Sequence, residues 1–459
     1  MAGKKSDFIV IANRLPVHRV RRKGGSGWQI SPGGLVSALT PILQDRGGTW
    51  IGWAGSGGRA PAPFEHEGIT NSPVSISKGE LDDYYEGFSN STLWPLYHDA
   101  IRPPTFHRHW WHAYVSVNQR FADEAVRHVA KNGTVWVQDY HLQLVPRMIR
   151  EQRPDVRTGF FLHIPFPPKE LFAQIPWRVQ ILEGLLGADV IGFQTKANAE
   201  NFVALAKEYT SWHSRSTNQL RLGDRRVRVD AFPISIDYER FKNLALSEDV
   251  QVQASEFRRK LGPKRKMVLG VDRLDYTKGI DIRLRAYREL LESGRERVED
   301  IVFVQVAVPS REMVTQYADM RARIEQLVGD INGSFGDVGR PAVHYHRRSF
   351  GVEELVALYV AADVMLVTPL CDGMNLVAKE YVASKTNDDG VLVLSEFTGA
   401  ANELTGALLV NPHDVDGLTL TIERALHMAE EDKSRRLRSM RRHISKRNIY
   451  AWADSFIEA

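Results

Sequence analysis

The sequence predicts an α/β protein built from two successive doubly wound domains, and three observations carry that reading. Apolar runs of strand length alternate with helical patterns through both halves of the chain, the order that produces parallel sheets with crossover helices. At 459 residues the chain exceeds what one hydrophobic core usually serves. The conspicuous polar residues fall where the apolar runs end, which is the ligand-binding edge of an open parallel sheet.

In the first half, residues 8–12, 49–53, 135–138, 158–163 and 189–193 read as strands, being short, apolar and rich in β-branched or aromatic residues. Residues 35–43, 142–151 and 198–209 carry helical patterns between them. A second series begins after Pro233, with strands at 266–271, 301–308, 342–345, 363–368, 390–394 and 407–410 and helices at 282–291, 313–328 and 353–361. The domain boundary is expected near residues 234–245, giving domains 1–238 and 239–459. Residues 434–457 read as polar helix able to pack on either domain, including back on the first. The polar positions after the strands are Asn13 and Arg14, Asp139 and His163 in the first half. In the second half they are Arg273, Arg311 and Asp372. Two such edges facing each other across a cleft is the expected arrangement.

Composition narrows the class. Hydrophobic residues make up 43% and charged residues 25%, values ordinary for a globular enzyme. No apolar run approaches a bilayer span, and no secretory apolar region follows Met1. Cys371 is the single cysteine, which rules out an intrachain disulfide and a cysteine metal cluster. A cytoplasmic address is the expectation. The formal charge of +4 suits a protein that handles phosphorylated small molecules. The basic run Arg225-Arg226-Val227-Arg228 lacks interleaved aromatics and reads as a solvated strand or loop, not a nucleic-acid stripe.

The motif Pro369-Leu370-Cys371-Asp372-Gly373-Met374-Asn375-Leu376 reads as strand, tight turn, helix, followed within the helix by Glu380. A helix N-terminus carries unpaired N–H groups and a partial positive charge, so such a turn can hold phosphate or sugar oxygens. Taken alone, an Asp-Gly is more often only a helix cap. In residues 271–279, Arg273 and Lys278 stand five apart at a strand-to-helix junction, a pairing that can grip a diphosphate or merely pair with Asp272 and Asp275. Ser31-Pro32-Gly33-Gly34-Leu35 reads as a glycine loop opening a helix; it matches neither a Walker nor a Rossmann fingerprint. Asp139 and His163 are placed to exchange hydrogen bonds with sugar hydroxyls, while His141 reads as structural. Tyr85 and Trp94 suit stacking on a sugar face, and Trp110 and Trp111 read as packing residues. The pattern as a whole is anion clamping with hydroxyl recognition, suited to transfer from a phosphate-activated sugar.

These segments together resemble the trehalose-phosphate synthase family of retaining glycosyltransferases. The likeness runs nearly end to end, through residues 11–16, 31–35, 50–53, 85–94, 136–141, 163–167, 271–279, 372–381 and 396–400. It implies a GT-B architecture of two Rossmann-like domains around a cleft. The implied reaction makes α,α-trehalose 6-phosphate from a nucleoside-diphosphate glucose and glucose 6-phosphate. It implies that Arg273 and Lys278 hold the donor diphosphate, with Gly33 and Gly34 approaching from the other domain. Asp372, Gly373, Met374, Asn375 and Leu376 would hold the donor glucose beside His163, and Glu380 the ribose. Arg273, Lys278, His163 and Asp372 form the implied catalytic group. Arg14, Trp50, Tyr85, Trp94, Asp139 and Arg311 would form the acceptor site. No cofactor or bound metal is implied, although a divalent ion such as Mg can stimulate such enzymes. Neither nucleic acid nor membrane is an expected partner, and the oligomeric state stays open, a homo-oligomer included.

Two departures from the family pattern stand out. Cys371 replaces the arginine common before the Asp-Gly-Met-Asn turn, and residues 344–350 are unusual where the family meets the nucleobase. The base therefore stays open among uridine, guanosine and adenosine. The rival readings are a relative that couples cyclitol units and a catalytically silent sugar-phosphate sensor. Against the first stand the intact Arg14, Tyr85, Trp94, Asp139, Asp372 and Asn375, and against the second the complete clamp.

Overall fold

The computed structural model describes residues 5–22, 25–31, 34–216, 218–310 and 315–459. Its contacts divide the chain into two units, Met1–Ile234 with Tyr450–Ala459, and Ser235–Ile449. The change of unit at Ile234 lies just ahead of the expected residue 238, and the last ten residues return to the first unit.

In the first unit, the strands are β1 (Ser6–Arg14), β2 (Val17–Arg22), β3 (Gly25–Ile30), β4 (Thr49–Trp53), β5 (Phe64–His66), β6 (Ile69–Val74), β7 (Val129–Gln138), β8 (Arg157–Phe161), β9 (Val190–Phe193), β10 (His213–Ser216), β11 (Gln219–Leu222) and β12 (Arg225–Ala231). Among the described residues, ten of them form one sheet in the order β10-β11-β12-β9-β8-β7-β1-β4-β6-β5, and β2 pairs with β3 as a separate hairpin. The centre is parallel, and the edge pairs β5–β6, β10–β11 and β11–β12 are antiparallel. Residues Phe8–Ala12 of β1 are all buried, as a parallel strand covered on both faces requires. Strands β4 and β6 lie on one side of β1 and strands β7 to β9 on the other. The connections thus reverse between β1 and β7, and in an open α/β sheet ligands bind at such a reversal.

The second unit holds β13 (Lys266–Arg273), β14 (Ile301–Val308), β15 (Val343–His346), β16 (Val364–Val367), β17 (Val391–Ser395) and β18 (Leu408–Val410). They form a sheet in the order β15-β14-β13-β16-β17-β18, with every pair parallel. This is the Rossmann strand order, with its reversal between β13 and β16.

Several helices differ from expectation. The helix expected from residue 142 begins at Val145, where Pro146 fits only within a first turn, and Tyr140–Leu142 form a separate 3₁₀ turn. The polar stretch expected as 434–457 is two helices, Glu430–Lys446 and Ile449–Ile457. The second packs on β7 and β8 through Phe456, whose ring stacks on Trp136 at 4.6 Å. A 21-residue helix at Arg108–His128 and a π-helical segment at Leu81–Leu93 were not foreseen. Trp111 in the first of these is buried and stacks on Trp177 at 5.2 Å, as its reading as a packing residue requires.

Candidate active site

In the second unit the reversal between β13 and β16 gathers the polar residues that the sequence singled out. Arg273 ends β13 with its side chain exposed. Asp275 then caps the following turn, accepting from Thr277 N at 3.1 Å. Gly279 opens the helix Ile280–Glu292 at φ +61°, and a Cβ there would lie 2.4 Å from the Thr368 carbonyl oxygen. Only glycine serves at this position, since it combines a left-handed backbone with a close approach. The turn delivers Lys278 to the Asp372 carboxylate, Nζ to Oδ2 2.7 Å.

Asp372 also accepts from Asn375 Nδ2 at 3.1 Å. The helix Leu376–Ser384 is capped by Asn375, not Asp372: at φ +82° its Oδ1 accepts from Ala378 N at 3.1 Å. The Asp372 side chain is thereby left to face Lys278. The turn itself is pinned from behind, with Asp372 N donating to Phe397 O at 3.0 Å and Ala400 N to Met374 O at 2.9 Å. Gly373 and Met374 are buried in that contact, while Leu376 is half-buried.

Sequence reading missed the residue beneath this cluster. Arg283 is 0% exposed. It donates to Asp272 Oδ2 at 2.6 Å, Thr368 Oγ1 at 3.0 Å, Leu366 O at 3.1 Å and Lys278 O at 2.7 Å. One guanidinium thus ties the ends of β13 and β16 to the turn that bears Lys278. Gly270 makes room for it, because a Cβ there would meet the Arg283 guanidinium at 2.7 Å. The signal lay in Gly270 and Asp272 within an apolar strand, since a buried carboxylate demands a partner.

Glu380 lies on the helix Leu376–Ser384, half-buried, and accepts from the Tyr359 hydroxyl at 3.0 Å. Burial pushes its carboxyl up to about 7. On the edge strand β15, the rings of His344 and His346 lie 6.5 Å apart, and Arg348 covers Phe350 at 3.9 Å. Burial lowers both histidines, holding them neutral near pH 7.

In the first unit the ends of β1, β4 and β7 converge. Arg14 ends β1, its side chain exposed and its guanidinium 4.7 Å over the Trp53 ring. Tyr85, on the π-helical segment, continues the row, 6.0 Å from Trp53 and 5.8 Å from His141. Trp94 is 3% exposed, against His98 at 4.1 Å and Tyr140 at 5.6 Å. Trp50, grouped with the acceptor residues, proves to be a brace: it is 0% exposed, and its Nε1 donates to the Arg14 carbonyl at 2.9 Å.

Asp139 follows β7 at φ +73°, a conformation that costs a non-glycine residue about 1–3 kcal/mol and clusters at functional sites. Its Oδ1 accepts from His163 N at 3.3 Å. The His163 ring lies 2.9 Å from Gln138 Oε1 through Nε2. Burial lowers its pKa to about 3, so the imidazole is neutral.

The structure therefore gathers Arg14, Tyr85, Asp139 and His163 along one sheet edge and Arg273, Lys278, Asp372 and Asn375 along another, while Glu380 lies within the helix that follows, on Tyr359. Gly34 opens the helix Gly34–Arg46, whereas Gly33 and Arg311 lie outside the described residues. Among the described residues, no group of three or more His, Cys, Asp or Glu is placed to hold a metal ion.

Comparison with known proteins covers nearly the whole chain. The model of glycosyltransferase family 20 matches residues 6–459. The trehalose-6-phosphate synthase of Mycobacterium sp. (strain KMS) is 55% identical over 463 residues, covering 99% of this chain and 95% of that protein. A UDP-forming α,α-trehalose-phosphate synthase from Burkholderia xenovorans superposes with a TM-score of 0.90 at 35% identity, covering 99% of this chain and 98% of that one. A structure of such a synthase from the same organism, in complex with glucose 6-phosphate, gives 0.90 at 33% identity and 99% coverage of both chains.

Proposed function

The chain belongs to glycosyltransferase family 20, and on that premise we propose that it moves glucose from a nucleoside-diphosphate glucose to glucose 6-phosphate, forming α,α-trehalose 6-phosphate. The observation that carries the reading is the Lys278–Asp372–Asn375 cluster at the strand reversal of a Rossmann-ordered sheet. It puts a cation for a diphosphate within 2.7 Å of a carboxylate suited to sugar hydroxyls. Relatives named for this synthesis support it.

The mechanism follows from what these groups can do. Arg273 and Lys278 neutralise charge that grows on the diphosphate as the C1–O bond breaks. Preorganised stabilisation of that kind is commonly the largest catalytic term. Asp372 and the turn behind it fix the departing hexose. Arg14 holds the acceptor phosphate, and the acceptor hydroxyl attacks C1 on the face the diphosphate leaves. The hydroxyl oxygen forms the new bond to C1, and its proton passes to the departing phosphate oxygen. Configuration at C1 is retained without an enzymic nucleophile. Holding both sugars in register supplies the proximity term.

The direct test is nucleotide release with uridine-, guanosine- and adenosine-diphosphate glucose, each crossed with glucose 6-phosphate and with glucose. Uridine comes first because relatives are UDP-forming. Release that ignores the acceptor phosphate overturns the reading. Arg14→Ala is expected to raise the KM for glucose 6-phosphate by about tenfold or more, since a charge-assisted contact contributes about 1.5–3 kcal/mol. Nucleotide affinity, measured by calorimetric titration, should be unchanged in that variant.

Glu380 gives a pH signature. Its carboxyl is raised from about 4.5 to about 7 in the folded chain, so the folded state favours the neutral acid. That contribution to stability is complete below about pH 4.5 and lost as pH rises through about 7. Ribose hydroxyls that donate to the carboxylate favour the ionised form. Nucleoside-diphosphate affinity should therefore rise from about pH 6 to about pH 8, with a proton released at the lower pH. Glu380→Gln should abolish this component, and titration of both proteins in buffers of different ionisation enthalpy measures it. Identical pH slopes in the two proteins would remove Glu380 from the nucleotide site.

A further inference from the structure

Gln138 is the last residue of β7, is 0% exposed, and meets His163 Nε2 through its Oε1 at 2.9 Å. Its own Nε2 is buried with no hydrogen-bond partner among the described residues. The next residue, Asp139, holds the backbone N–H of the same histidine at 3.3 Å. Two adjacent side chains therefore grip one residue, one by its ring and one by its backbone.

We propose that Gln138 is a positioning residue that holds His163 as the Nε2–H tautomer and leaves Nδ1 bare, an acceptor for a substrate hydroxyl. A carboxamide oxygen only accepts hydrogen bonds, so the nitrogen facing it must carry the proton. Burial keeps the ring neutral, so it has one proton to place and Nδ1 retains its lone pair. Phe161 at 4.7 Å and Trp452 at 6.3 Å pack around the ring, which confines its plane. Nδ1 so held accepts from a hydroxyl and repels an acceptor. The hydroxyl part of the inference rests on the function proposed above; the tautomer does not.

Nitrogen-15 NMR of protein labelled at the histidine ring nitrogens tests the tautomer without turnover, with signals assigned by their loss in His163→Asn. The expected spectrum of the free protein shows a protonated, pyrrole-type Nε2 and an unprotonated, pyridine-type Nδ1. A protonated Nδ1, as a reversed Gln138 amide would impose, overturns the proposal. Uridine-diphosphate glucose should move the Nδ1 resonance toward its hydrogen-bonded position, whereas uridine diphosphate should leave it in place. Equal shifts with both ligands also overturn it. Gln138→Leu should mix the tautomers and lower donor kcat/KM by about 10–100-fold at an unchanged melting temperature. Gln138→Glu, which still accepts from Nε2–H, should restore the parent tautomer. If the tautomer is found but no sugar nucleotide is turned over, the functional reading fails and the positioning role stands. Should neither variant fold, the parent spectra decide alone.

Discussion

Arg273→Ala is expected to lower turnover by about 10²–10³-fold, the loss of about 2.7–4 kcal/mol that follows removal of one preorganised charge stabiliser. The fall should appear in kcat more than in the KM for the donor, because the guanidinium matters most when charge has moved onto the departing diphosphate. Arg273→Lys should recover only part of it, since an ammonium cannot reproduce a bidentate grip. Arg273 is exposed at the end of its strand, so the melting temperature should barely change. Steady-state rates on folded protein decide the matter, and near-parent kcat in Arg273→Ala would sink the donor assignment.

Arg283→Leu should act on stability instead. The guanidinium is sealed with Asp272, both ends of the pair almost wholly buried. Removing one partner of such a pair commonly costs about 3–5 kcal/mol, because the other charge stays behind without compensation. For a unit of this size that corresponds to a fall of about 6–20 °C in the melting transition. Asp272→Asn combined with Arg283→Leu should recover part of the loss, since the double change removes both charges. Differential scanning calorimetry would show it. A single variant that melted with the parent would mean that Arg283 does not tie β13 to β16.

The parts of the fold that were legible in the sequence share one physical property. Strands β4 and β14 occupy the spans expected for them, Thr49–Trp53 and Ile301–Val308. Parallel strands buried on both faces have no polar side, so their sequence is a nearly continuous apolar run, interrupted in β14 by Gln305. Strands buried on one face only lack that constraint. Arg225–Ala231 alternates charge with Val227 and Val229 yet is strand β12, and the hairpin β2–β3 left no apolar signature. The helix Arg108–His128 escaped because its buried face mixes the aromatic Trp111, Tyr114 and Phe121 and the polar Asn118 with Val117, Ala122 and Ala125, and so shows no run of large aliphatic residues. Its polar atoms are satisfied by backbone groups, Asn118 Nδ2 donating to the His141 carbonyl at 3.0 Å, and such pairing is invisible along the chain.

For the candidate site, the sequence alone determined which residues end the strands: Arg14, Asp139, His163, Arg273 and Asp372 follow from alternation and strand length, since side chains past a strand's carboxyl end gather at one sheet edge. Tertiary structure decided what each of them touches. Lys278 and Asp372 are 94 residues apart in the chain and 2.7 Å apart in space, a pairing set by the order β13-β16. The buried role of Arg283 could not be read locally, because an arginine on an amphipathic helix faces solvent unless a carboxylate on another element draws it in. Trp50, grouped with the acceptor residues in the sequence, became a buried brace for the same reason. Burial, hydrogen-bond partners and the shifts of Glu380 and His163 depend on neighbours that parallel pairing brings together across long sequence separations, while strand and helix depend on the period of the local pattern.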